Sequence, residues 1–198
     1  ESIIIRTTLA PNTAQDWAIA YKDGIGYPGF FHHEVEKHIR DNDKTIDEKE
    51  LFISGAGRYG YDGQADIVKR DGVYVYIWEI KTALHGYYPE DQMALEQVNR
   101  YVSAKSSNKI GPNNVICNDS FIVTLADSGV SYEVQYQNSL YNDGLIFYRF
   151  TRLGKKQEDP EPVPAYDPVP NDEKEKAIVD IIDNVPVPQP TPQPTSAI

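Results

Sequence analysis

"GQADIVKRDGVYVYIWEIKT", residues 63–82, alternates apolar and polar side chains on either side of Asp71-Gly72. The pattern predicts two antiparallel strands joined by a two-residue type I′ turn, which needs positive φ at both centres and which Asp-Gly tolerates. In that register Arg70 faces Val73, Val68 faces Val75, Asp66 faces Ile77 and Gln64 faces Glu79. Paired residues point to the same side, and every second residue along each strand joins them. Asp66, Glu79 and Lys81 therefore share one face, while Ile67, Tyr74, Tyr76 and Trp78 take the other. A hairpin apolar on both faces belongs centrally in a sheet covered by helices. Charge at its end needs compensation, because neighbouring carboxylates raise each other's pKa unless a cation or a donor intervenes; a divalent metal would use both.

Upstream, Thr13 is placed to cap a helix through Trp17 and Tyr21, stopped by the turn-rich DGIGYPG at 23–29. A second helix is expected from Phe30 to about Asp41. Steps of about 100° put Phe30, Phe31, Glu34, Val35, His38 and Ile39 in one half of its wheel, with Glu36 just outside. LFISG at 51–55 reads as a strand. GRYGYDG at 57–63 reads as a glycine turn, or as a loop whose amides and Arg58 approach a phosphate. Downstream, PEDQMALEQVNRYVSAKS from Pro89 has Pro near a helix start and Met93, Leu95, Val98, Tyr101 and Val102 at helical spacing. SFIVTLAD (120–127), SYEVQYQ (131–137) and LIFYRFTR (145–152) are three more strands.

At Gly154 the composition changes, so residues 1–153 are expected to form one α/β domain and 154–198 a Pro-rich linker, a short helix from Asn171 and an extended tail. With 198 residues, one domain plus appendages is the natural division. A lone Cys117 permits neither an internal disulfide nor a cysteine-based zinc site. No apolar run approaches the roughly 20 residues of a membrane span. No charged-then-apolar leader is visible, which leaves a cytoplasmic protein and a delivered or secreted effector both open. The net charge is −11, with 21 acids and 15 bases in the first 153 residues. That balance argues against a broad basic face for nucleic acid, and it is compatible with a local, cation-assisted site.

Asp, hairpin, Glu-x-Lys and then a helix: this order, Asp66 with Glu79-Ile80-Lys81, resembles the PD-(D/E)XK nuclease superfamily, the restriction-endonuclease-like fold, over about residues 29–126. The resemblance implies a mixed central sheet flanked by helices, here with extra C-terminal strands. It implies Mg²⁺ or Mn²⁺ held by Asp66, Glu79 and the Ile80 carbonyl, and completed by an acid of the first core helix: Glu34 by the wheel, with Glu36 as the neighbouring alternative. Lys81 would position the attacking water. Gln97 and Tyr101, in QVNRY, are similar to the Gln-x-x-x-Tyr motif of RecB-like members. Ala65 stands where the family name has Pro, a variable position.

The implied activity is phosphodiester hydrolysis, of DNA rather than RNA, in the setting of a toxin or effector with an immunity or inhibitor protein as partner. One rival reading is a non-catalytic protein-interaction module whose polyproline tail recruits partners. Another is a two-carboxylate glycosidase, which gives Lys81 no role. Plainer assignments stand beside these. Tyr101 fits a core position and Asp62 competes with Asp66. His32 and His33 lack zinc partners at useful spacing, His38 suits a core, and His85 could reach substrate from a loop.

Overall fold

The computed structural model describes residues 9–83, 88–114, 116, 119–139 and 143–155, without the side chains of 88–91. All of them belong to Glu1–Lys156, the first of two units into which the chain divides. The expected short helix and tail after residue 155, and His85, lie outside the described residues.

Helix α1, Ala14–Asp23, starts in a capping box: Asp16 N–H donates to Thr13 Oγ1 at 3.1 Å and Thr13 N–H donates to Asp16 Oδ2 at 2.9 Å. This arrangement satisfies amides that the first helical turn leaves free. Gly24, at φ +112°, ends the helix in the left-handed region that a residue with a Cβ avoids. Helix α2, Phe30–Asn42, buries Phe31, Val35, Glu36 and Ile39. Its buried arc is rotated by roughly 80° from the one the wheel favours, because Phe30 and His38 sit at its rim. His38 is half-buried and stacks on Phe121, with ring centroids 4.2 Å apart.

Strands β1 (Leu51–Ile53) and β2 (Gly63–Ala65) form a small antiparallel pair of their own. The main sheet contains β3 (Ile67–Asp71), β4 (Tyr74–Thr82), β5 (Asn108–Ile110), β6 (Asp119–Thr124), β7 (Val130–Asn138) and β8 (Leu145–Lys155). Helix α3, Tyr88–Ser103, follows β4. The strand order is β3-β4-β8-β7-β6. Strand β4 runs antiparallel to β3 and parallel to β8; the short β5 pairs with Val75–Ile77 and β8 with Glu79–Thr82. The protein is thus α/β, with a mixed sheet. Sequence pattern gave no sign of β5: three residues joined by backbone bonds have no periodicity to read.

Helices cover both faces of the sheet. On one, Phe31, Val35 and Ile39 pack with Ile67, Trp78, Ile80, Ile146 and Phe150. On the other, Val98 packs with Leu145 and Phe147, and Tyr101 with Val68 and Ile77. This alternation along β4 is the two-residue period of a strand buried on both sides. No described helix is long and apolar enough to cross a membrane.

The β3–β4 register differs from the expected one. Asp71 pairs with Tyr74, Arg70 with Val75 and Val68 with Ile77, so the turn centres on Gly72-Val73. Only Gly72 of the two has positive φ, +58°, and glycine at the first centre matches a type II′ turn. The slip is two residues, a full side-chain period, so every residue from Ile67 to Lys81 keeps its expected face, while Asp66 lies in the bend before β3 and escapes the alternation. Pairing stops at Ile67 with Trp78, and Gln64 pairs with Phe52 of β1 instead of facing Glu79.

Gly111 lies against Trp78, and a Cβ there would fall 2.0 Å from the indole. Gly111→Ala should therefore lower stability by about 1–3 kcal/mol through overpacking. A urea melt followed by tryptophan fluorescence measures it, and an unchanged midpoint would contradict the close contact.

Candidate functional site

Beyond Ile67 the chain bends at Asp66 and leaves the sheet, so Ile80 loses the partner that a continued β3 would supply. Asp66 replaces it: the Ile80 N–H donates to Asp66 Oδ2 at 2.7 Å, in a buried setting. An unmade backbone bond at that depth would be costly, so the substitution fixes the carboxylate beside β4. Arg40 of α2 secures the same bend by donating to the Asp66 carbonyl at 2.5 Å and to Glu36 Oε2 at 2.8 Å.

Two groups of side chains meet around this bend. On the α2 side, His32 Nε2 lies 2.8 Å from Glu36 Oε1 and 3.2 Å from Asp66 Oδ1. Ligand-type atoms of His32, Glu36 and Asp66 all lie within 4.8 Å of one another, as do those of His33, Glu36 and Glu50. On the α3 side, Glu79 Oε1 accepts from Lys81 Nζ at 2.8 Å and from Gln97 Nε2 at 2.7 Å. Gln97 also donates to the Tyr101 hydroxyl at 2.8 Å. Glu79 is 3 % exposed, and its Oε2 is buried with no hydrogen-bond partner among the described residues.

Electrostatics follow from this crowding. Burial lowers the pKa of His32, but hydrogen bonds and charge from Asp66 and Glu36 outweigh it and lift the imidazole to about 10. His32 is therefore a cation wedged between two acids. Burial raises Glu36, yet bonds from His32 and Arg40 hold it below the usual carboxylate range. Glu79 goes the other way, to about 8, through burial first and the Asp66 charge second, with Lys81 and His32 opposing. Glu50 is pushed up by burial and by Glu36 and Asp66.

Most of the residues singled out in the sequence come together here: Asp66, Glu79, Ile80, Lys81, Gln97 and Tyr101. Tyr101 serves the core as well, being buried against Val68 and Ile77. Glu34 does not join them. It is half-buried, with no ion pair or side-chain hydrogen bond among the described residues, and the helix acid next to Asp66 is Glu36. The physical reason is the rotated arc of α2, which turns residue 36 toward β4. Asp62 is exposed and accepts from the Gly55 N–H at 2.9 Å, closing a loop.

The residue missed from sequence is His32. Its signal was present as the polar row His32, Glu36, Arg40 at a spacing of four, beside the apolar row Phe31, Val35, Ile39. Searches for zinc spacing pass over it, because its third partner, Asp66, is distant in sequence.

Comparison with family models, with curated proteins and with solved structures finds no match. Function is therefore argued from the site itself.

The pKa shifts give a pH signature with a definite sign. His32 and Glu79 both hold protons in the folded protein at pH values where their ordinary values, 6.5 and 4.5, would release them. Stability they confer is complete below those ordinary values and declines as pH rises toward about 10 and about 8 respectively. Glu36 acts oppositely, its contribution fading as the solution is acidified. In EDTA the urea midpoint should fall between pH 6 and pH 9, and Glu79→Gln should flatten the lower part of that fall. A midpoint that rises over this range would contradict a protonated, buried Glu79.

Proposed function

We propose that this protein is a metal-dependent nuclease of restriction-endonuclease-like fold, hydrolysing phosphodiester bonds of DNA. The observation that carries the reading is Glu79 Oε2: a buried carboxylate oxygen without a hydrogen-bond partner among the described residues, on a side chain whose ionised form is disfavoured by burial and then by Asp66. Such an atom is costly as it stands and suits a cation. The donor set beside it fits a divalent ion: Asp66 and Glu36 offer oxygens and His32 one nitrogen within 4.8 Å of one another, a mixture that accommodates Mn²⁺ more readily than Mg²⁺, and Glu79 is the further carboxylate whose charge Asp66 feels. When bound, the ion would supply Lewis-acid stabilisation of phosphate charge and acidify water.

The chain's own groups have separable tasks. Lys81 carries a donor at the exposed edge of Glu79, where it can hold a water or a phosphate oxygen and steady the charge that grows there. Gln97 fixes the rotamer of Glu79 and is itself held by Tyr101, so both act as positioning residues. His32, now bonded to Glu36 and Asp66, would have to be neutral to serve as a ligand, and an ion held there would supply the positive charge those two acids now receive from the imidazolium. A glycosidase reading leaves both the Lys81 contact and the crowding by His32 without use.

The test is cleavage of plasmid and single-stranded DNA with Mg²⁺, Mn²⁺ or EDTA. Activity is expected with Mn²⁺ and absent in EDTA. Glu79→Gln and Lys81→Ala should each lower the rate by about 100-fold or more. Cleavage that survives in EDTA or in both variants overturns the reading. Calorimetric titration with Mn²⁺ separates the helix acids: Glu36→Gln should weaken binding about tenfold, whereas Glu34→Gln should leave it unchanged.

A further inference from the structure

GRYGYDG, residues 57–63, has a shape that a simple turn does not require. Tyr59 is the one non-glycine residue with positive φ among the described residues, at +57°. Backbone held in that region persists where the surroundings enforce it. Here they do: the Gly57 N–H donates to the Tyr61 carbonyl at 2.6 Å, and Asp62 accepts from Gly55. Gly57 has no room for a side chain, since a Cβ would meet the Asp62 carbonyl at 2.5 Å. The product is a closed loop that holds Tyr59 86 % exposed and Tyr61 74 % exposed. Two large aromatic rings fixed in solvent make no contribution to the core.

A cavity of about 570 Å³ opens beside this loop, lined by Arg58, Lys81, Gln97, Arg100 and Tyr101 among others. It is continuous with the candidate site, because Lys81, Gln97 and Tyr101 belong to both. The Arg58 guanidinium sits 5.5 Å from the centre of the Tyr59 ring, which places that ring next to a lining cation. Of the cations lining this cavity, Lys81 is paired with Glu79. Arg58 and Arg100 have no carboxylate partner among the described residues, although Asp62 and Glu96 line the same cavity.

Exposed tyrosines with unpaired guanidiniums beside a phosphate-processing site form a stacking platform combined with a short electrostatic track. We propose that the loop 57–63 and this cavity form a subsite for single-stranded DNA, with a base stacked on Tyr59, its neighbour on Tyr61, and adjacent phosphates on Arg58 and Arg100. A duplex keeps its bases stacked on one another and offers no free faces to the rings. It also relies on a wide basic surface, against which a net charge of −11 argues. The strand so held would run its next phosphate toward Lys81 and Glu79. This inference rests on the nuclease reading for its orientation, and its binding readout is independent of cleavage.

The experiment uses the full chain carrying Glu79→Gln, in EDTA, with a fluorescein-labelled 12-mer of deoxythymidine and, as competitor, a blunt duplex. Anisotropy should show the single strand bound at least tenfold more tightly than the duplex. Tyr59→Ala and Tyr61→Ala should each weaken the single strand about tenfold, while Tyr59→Phe retains it within about twofold. With two or three cations at the phosphates, log affinity against log salt should have a slope near −2. Tyr74→Ala is the control, an exposed tyrosine about 23 Å along β4 from Lys81 at roughly 3.3 Å per residue and not part of the cavity lining. Both loop tyrosines are exposed, so thermal melts should match the parent and exclude unfolding as a cause. Duplex binding as tight as single-strand binding, or alanine variants that bind like the parent, would overturn the subsite. If the wild type cleaves nothing with any metal while the tyrosine-dependent binding holds, the nuclease reading fails and the subsite stands.

Discussion

The hydrogen bond from the Ile80 amide to the Asp66 carboxylate is the constraint on which the site depends. A β-ladder that simply continued past Ile67 would have closed the gap between β3 and β4 with backbone alone. Because the chain turns away at Asp66 to build the small β1–β2 pair, one buried amide on β4 is left for a side chain to satisfy. The carboxylate that does so is anchored within the protein instead of in solvent. From that position it meets α2 through His32 and lies close enough to Glu79 to disfavour its charge. The opening in the sheet is what allows helices on opposite faces to contribute to one locus.

Anchoring an acid there has electrostatic consequences that the rest of the locus shares out. Glu36, Glu50, Asp66 and Glu79 face His32, Arg40 and Lys81, and the balance is struck by moving protons: His32 gains one and Glu79 keeps one. A buried ionised pair of this kind is a poor source of stability, since desolvation consumes much of the Coulomb gain. If the site takes a divalent ion, as proposed, His32 and the proton on Glu79 are the two positive charges it would most easily replace, because neither belongs to a group that is always charged. Arg40 and Lys81 remain, the first fixing backbone and the second facing the open cavity.

Much of this was legible in the sequence for a reason of parity. The turn was expected at Asp71-Gly72 and lies at Gly72-Val73, yet a slip of two residues preserves faces, so Glu79 and Lys81 keep their side in either register, while Asp66, in the bend before β3, meets His32 on the α2 side. A slip of one would have reversed everything. The helix was less forgiving: its angular position depends on which apolar residues are weighted, and counting Phe30 and His38 turned attention to Glu34 and away from Glu36. His32 escaped because its partner on the sheet is contributed by a bend, and bends of that kind carry no periodic signal. Gln97 and Tyr101 were readable from their spacing of four, which puts both on one stripe of α3. The separate β1–β2 pair and β5 were not, being short pieces defined by what they pair with.

One line of contacts ties the loop at 57–63 to the acids, and it passes through a glycine. Gly63 closes the loop and begins β2, and a Cβ on it would lie 2.3 Å from the ring of Tyr101. The absence of that atom lets the ring settle against the strand, where its hydroxyl receives the Gln64 amide at 3.4 Å and the Gln97 amide at 2.8 Å. Gln97 in turn holds Glu79. A displacement of the loop would therefore move Tyr101 first, then Gln97, then the Glu79 carboxylate. Positioning of this kind is effective only when each member is packed, and Tyr101 and Glu79 both are. The loop that presents Tyr59 and Tyr61 to solvent is consequently also part of the frame that orients Glu79, which gives its tightly held backbone a purpose apart from the two exposed rings.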